Sequence, residues 1–292
     1  SKIELGLFLL ILGAIIGLRY YTLVLFGFQY SDSDQAIMWN ALTDFANGQF
    51  HEPRFYGQSY NTMLEAFFAV PLYKLGIAPY KAVTIITTFL SLFPFGLIAF
   101  FTFKKRNTAL SMAILSIPLL LPIEYHLITT LSRGFVTGLF VASFGSISLF
   151  YPRNKWAFFC TGFVSVVGCS ITANSALFAL PILLCLFLFN LKNKRFYTYA
   201  GIGLLLGGVL HFWINYFYVI HPNYNLHQYQ LDYSFDLLIN SLSNLDDFYN
   251  YVSPIFWHQG FIWTLIFLVT GVVSLKNKKW QYGLVLITIP IL

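Results

Sequence analysis

Charge is what this chain has least of. Only 10% of its 292 residues are Asp, Glu, Lys or Arg, against 58% hydrophobic, and the mean hydropathy is +0.69. Soluble domains carry about 25% charged residues, so this composition argues against a water-soluble globular class and for an integral membrane protein. Cysteine is scarce too. Cys160, Cys169 and Cys185 lie in apolar runs with no CxxC spacing and no companion His, which points to small buried hydrophobes rather than a disulfide framework or a thiolate metal site. A cleavable leader is missing: Ile3 to Leu18 runs into aromatics and Arg19 instead of small residues, the pattern of a retained first helix. There is no internal repeat and no low-complexity tract. The first residue is not Met, and the last three, Pro290-Ile291-Leu292, fall inside an apolar run, so a fragment of a longer protein is expected.

What is abundant is apolar sequence. A membrane helix needs about 20 mostly apolar residues, and that rule predicts about nine spans. They are 3–28 (broken near Arg19), 79–103, 108–123, 134–151, 156–173, 175–190, 197–219, 257–275 and 281 to the end, with 108–123 and 175–190 short. Four short loops carry Lys104-Lys105-Arg106, Arg153 with Lys155, Lys192 with Lys194-Arg195, and Lys276 with Lys278-Lys279, and contain no acid. The positive-inside rule places these loops and the N-terminus in the cytoplasm. The net charge of +6 is thereby read as orientation, not as a nucleic-acid patch. Every Asp and Glu except Glu4 then falls on the opposite face. The expected class is an all-α multi-pass membrane protein, its two long outer segments being residues 29–78 and 220–256.

Within 29–78, Asp34 to Phe50 reads as an amphipathic helix and Asn61 to Leu75 as a second interfacial helix, interrupted by Pro71 and stopped by Gly76. Asp32 and Asp34 open the first. One can be the N-cap; a free carboxylate there can act as a general base or help hold a divalent cation. Glu65, between Leu64 and Ala66, calls for a partner or a pocket-shaping role. The 220–256 segment is rich in Tyr, Asn and Asp, and its His221 and His227, with His258 and Asp232 or Asp236, have the right ligand types for zinc but no strict motif spacing. Tyr224, Tyr229, Tyr233, Tyr249 and Tyr251 can stack on sugar rings, while Trp257 reads as an interfacial anchor. His211, mid-span beside Trp213 and Asn215, reads as a helix-packing contact.

The order of these features resembles the first outer loop of the multi-span C-type glycosyltransferases (GT-C), in the branch of protein mannosyltransferases and aminoarabinose transferases. Leu18-Arg19-Tyr20-Tyr21 ends the first span, Asp34-Gln35 opens an interfacial helix, and Gly48, Glu52-Pro53-Arg54 and Leu64-Glu65-Ala66 follow. The likeness covers about residues 10–150, and it departs from the family at Gln35, where an acid is common. The resemblance implies a membrane glycosyltransferase moving a sugar from a polyprenyl-phosphate donor to a glycan, lipid or protein acceptor, with inversion, on the outer side of a bacterial cytoplasmic membrane. Asp34, with Asp32, would be catalytic. Arg54, Arg133, Glu65, Glu124, Tyr56, Gln58 and Tyr60 would bind substrate. No cofactor is required beyond a possible divalent cation, which Gln35 leaves open. An anionic donor needs outer basic residues: Arg54, Lys74, Lys81 and Arg133, with Arg19 just inside. Lys74 and Lys81 also read as snorkelling anchors, and Arg133 can pair with Glu124. The alternatives are a multi-span transporter or lipid flippase, disfavoured because mid-span charge is rare, and a non-catalytic membrane scaffold or sensor.

Overall fold

The computed structural model describes residues 2–58, 61–121, 123–224, 234–237 and 261–288. Regular structure among them is helical apart from a single bridge between Phe55 and Gln58. In chain order the helices are α1 (Lys2–Thr22, running on through a π turn at Leu23–Gly27), α2 (Ser33–Ala46), α3 (Leu64–Lys74), α4 (Pro79–Lys104), α5 (Thr108–Leu120) and α6 (Ile123–Ile128). Next come α7 (Phe135–Ser143), α8 (Ile147–Phe150), α9 (Lys155–Ile171), α10 (Ala176–Phe189), α11 (Lys194–Ile220), α12 (Phe261–Lys276) and α13 (Trp280–Thr288).

Three of these, Glu4–Gly27, Pro79–Lys104 and Lys194–Ile220, are long and apolar enough to cross a membrane. The others fall short: Thr108–Leu120, Phe135–Phe150, Lys155–Ile171, Ala173–Phe189 and Leu265–Lys276 all have 10–17 residues. Among the described residues three candidate spans stand in place of the expected nine or so, and the multi-pass GT-C-like architecture goes with them. The reason lies in the backbone, because apolar composition continues through residues that end a helix. Leu121 is extended (φ −72°, ψ 151°) ahead of Pro122, as a residue before proline prefers. Thr172 is extended (φ −151°, ψ 125°) between α9 and the next turn. With 13 residues, α5 is about 20 Å long against a hydrocarbon core of about 30 Å. The chain is a helical protein with the means for membrane association.

Local rules account for the helix starts. Each of three basic turns ends in an Asn that caps the helix after it. The Asn107 side chain accepts from the Leu110 amide, Asn154 from Trp156 and Asn193 from Phe196. Packing then sorts the helices into groups. α2, α3 and α4 share a core of Met38, Ala41, Leu42, Ala66, Ala69, Ala82 and Val83, completed by Phe55 and Met63. α1 meets α4 and α5 through Ile15, Ala99 and Leu115. α9 and α11 pack backbone to backbone: a Cβ on Gly203 would strike the Phe159 carbonyl, and one on Gly162 the Ala200 carbonyl. Such close approach needs small residues at the crossing.

Candidate functional site

Residues 29–78 carry the polar groups, and three constellations form around them. The first opens α2. Asp32 is its N-cap, one oxygen accepting from the Gln35 amide at 3.0 Å, and its other oxygen accepts from Arg133 Nη2. Asp34 Oδ2 lies 3.9 Å from Arg133 Nε. Partial burial pushes the Asp32 carboxyl up, but the Gln35 amide and the Arg133 guanidinium outweigh it and hold the group below the usual carboxylate range. The trio has a net charge of −1, with Arg133 as the counter-ion to two acids.

The second constellation lies directly behind Arg133 in the chain. Asn61 Nδ2 donates to the Arg133 carbonyl at 2.9 Å, and Asn61 Oδ1 accepts from Thr172 at 2.9 Å. Gly134 caps α7 at φ +81°, where a Cβ would stand 2.9 Å from the Thr62 carbonyl; only glycine suits that turn. Glu65 is fully buried beside it. Thr87 donates to Glu65 Oε2 at 2.6 Å and Thr137 to Oε1 at 3.4 Å, with the Gly134 and Val136 amides also donating. Ser132 Oγ lies 2.9 Å from Thr87 Oγ1. Burial pushes the Glu65 carboxyl up to about 7, against four hydrogen bonds that favour its ionised form. Among the described residues no basic group faces Glu65; hydroxyls and helix-start amides take the place of the expected counter-ion.

The third constellation links the segment to α9 and α11. Arg54 is buried; it donates to the Ser170 carbonyl at 2.6 Å and to Asn215 Oδ1 at 2.9 Å. Its backbone amide donates to the Tyr218 hydroxyl at 3.1 Å, and that hydroxyl donates to Glu52 Oε2 at 2.9 Å. On the other side of Glu52, a cleft of about 340 Å³ opens among Phe45, Phe50, Pro53, Met63 and Phe67. Glu52 is the charged residue of its lining. Asp44 stands nearby, 3.2 Å from His51 Nε2 and 3.4 Å from the Tyr56 hydroxyl. Burial, with Asp44 adding to it, pushes the Tyr56 hydroxyl up to about 12.

The fold therefore unites Asp32, Asp34 and Arg133, sets Glu65 one layer behind them, and sends Arg54 and Tyr56 elsewhere. Arg133 pairs with Asp32 and Asp34; the expected pairing with Glu124 rests on a side chain outside the described residues. The backbone N–H of Gln58 donates to the Phe55 carbonyl in a turn, and Tyr60 is outside the described residues. Lys81 sits over the Phe28 ring. Of the zinc candidates only His221 and Asp236 are described; His227, Asp232 and His258 lie outside, as do Tyr229, Tyr233, Tyr249, Tyr251 and Trp257. Among the described residues no three His, Cys, Asp or Glu come together to hold a metal ion. The partners that sequence reasoning missed are Asn61, Thr87, Ser132, Thr137, Ser170, Asn215 and Tyr218. One signal was legible: Thr84, Thr87, Thr88 and Ser91 form a hydroxyl stripe at helical spacing along α4, and all four are buried.

No protein-family model, curated protein or solved structure matches this chain. The resemblance to C-type glycosyltransferases is accordingly corrected. With three candidate spans and no catalytic acid or metal cluster among the described residues, the sugar-transferase reading with Asp34 as base falls, and the multi-span transporter or flippase reading falls with it: the chain is a helical protein suited to membrane association and without a matching family.

Proposed function

We propose that this chain is a membrane-associated binding protein, with residues 29–78 as its ligand platform and an amphiphile as its ligand. The observation that carries this reading is the cleft of about 340 Å³ between α2 and α3, within the range of small-molecule sites. Its position supports a lipid-like occupant. α2 and α3 join the end of one candidate span to the start of the next, which sets them at headgroup depth when α1 and α4 cross a bilayer. Phe50 and Phe67 line the cleft yet stay exposed, at 64% and 55%, as apolar side chains against a hydrocarbon tail would. The charge supports the headgroup. Glu52 in the lining and Asp44 close by make the surroundings acidic, which favours an ammonium-bearing amphiphile over a phosphate-bearing one.

The test is fluorescence binding of a pyrene-labelled alkylammonium amphiphile and its alkylphosphate counterpart to the full chain in detergent. The ammonium probe is expected to bind saturably and more tightly. Phe67→Ala removes a large apolar contact worth about 1.5–3 kcal/mol when buried and adds no charge to the lining, so affinity should fall at least about tenfold while the helical circular dichroism is unchanged. Equal binding by wild type and Phe67→Ala would rule the cleft out.

A further inference from the structure

A second, much smaller cavity lies on the far side of Arg54. Its volume is about 20 Å³, and it is lined by Arg54, Thr62, Ser170 and His211 with the apolar side chains of Ile171 and Ile214. Arg54 and Thr62 are 3% and 6% exposed, and among the described residues Arg54 Nε and Thr62 Oγ1 each lack a hydrogen-bond partner. Two unpaired donors from buried residues thus border one space. The guanidinium's other contacts are neutral, the Ser170 carbonyl and Asn215 Oδ1, and among the described residues no carboxylate lies within ion-pair distance of it. Glu52 reaches this region only through the Tyr218 hydroxyl.

A buried cation without a counter-charge is costly, and neutral acceptors relieve only part of that cost. A single water could satisfy the two donors but would not offset the charge. The volume admits one species of about water size, which excludes phosphate, sulfate and carboxylate ligands. We infer that this cavity is a binding site for one monatomic anion of halide size, held by the Arg54 Nε–H and the Thr62 hydroxyl. Burial lowers the affinity of the Arg54 guanidinium for its proton, the tendency a bound anion would oppose. The site ties residues 29–78 to α9 and α11, so occupancy should be read in the stability of the fold.

The experiment is thermal unfolding of the purified full chain, followed by tryptophan fluorescence, while sodium chloride or bromide replaces sodium gluconate at constant ionic strength. Gluconate is too large to enter. A saturable rise in Tm with chloride and bromide is expected. Thr62→Val, nearly the same shape without the hydroxyl, should raise the half-maximal halide concentration by about tenfold, the scale of one hydrogen bond to a charged group. Arg54→Gln should abolish the response; if that variant does not fold, Thr62→Val decides alone. No saturable halide effect in wild type would mean that the cavity holds only water. A wild-type response unchanged in Thr62→Val would place the ion elsewhere. Either result overturns the site.

Discussion

Glu65→Leu is expected to destabilise the folded protein by about 2–4 kcal/mol, among the larger single-residue effects in the chain. The carboxylate accepts from Thr87, Thr137 and the Gly134 and Val136 amides in a fully buried pocket, and Leu would leave those donors unpaired with no water to take them. Glu65→Gln keeps one acceptor oxygen and carries no charge, so it should cost much less and bring a distinct pH signature. The folded-state pKa of Glu65 is raised, from 4.5 to about 7. Between those values the unfolded state binds fewer protons than the folded one. The contribution is therefore fully present below pH 4.5, declines as the pH rises to about 7, and is flat above, for a total of about 3 kcal/mol. Glu65→Gln removes the decline.

His126 tilts the other way. Its burial and the nearby Arg19 lower it to about 4, so between about 4 and its ordinary 6.5 its contribution grows as the pH rises. The Glu65 effect is accordingly read as the difference between wild type and Glu65→Gln in Tm at pH 5 and pH 8. Gln should gain on wild type as the pH rises. A difference that stays constant across that range would remove the raised pKa from the account.

Gly203→Val should cost about 3 kcal/mol or more, above the common range for an added methyl or two in a core. Overpacking is usually eased by a side-chain rotation, and here no side chain can yield, because the new Cβ would meet the Phe159 carbonyl and the Phe163 amide of α9. The helices must separate. That movement would also pull apart the Arg54 contacts to Ser170 on α9 and Asn215 on α11, so the halide response should vanish with the stability. Gly201 and Gly208 provide the control, since a Cβ on either meets nothing within 4 Å. Gly208→Ala should be neutral or gain up to about 1 kcal/mol from helix propensity. Thermal unfolding of the two variants distinguishes the cases, and a Gly203→Val protein as stable as wild type would refute the tight crossing.

Much of the helical layout was legible from local rules. Pro, Gly and Asn punctuate the apolar runs, and a helix occurs in most of the stretches expected to hold one. Their lengths were not legible, because hydropathy averages over a window and is blind to a single extended residue such as Leu121 or Thr172. The acidic start at Asp32 was readable as a cap, but its pairing with Arg133, 101 residues away, was not. A resemblance built on feature order therefore overreached: the same Asp, Arg and Glu types were present, but their partners were set by chain segments that no local spacing specifies.

The sequence by itself determined that this chain is apolar and helical, where its basic turns fall, and that its acids gather in a few segments, since composition and the 3.6-residue period act through neighbours along the chain. Only the tertiary structure decided which charges cancel, which glycines carry a helix crossing, and that Glu65 and Arg54 end up buried with no opposite charge beside them among the described residues. Those outcomes depend on which surfaces exclude water together, and burial is a property of the packed molecule.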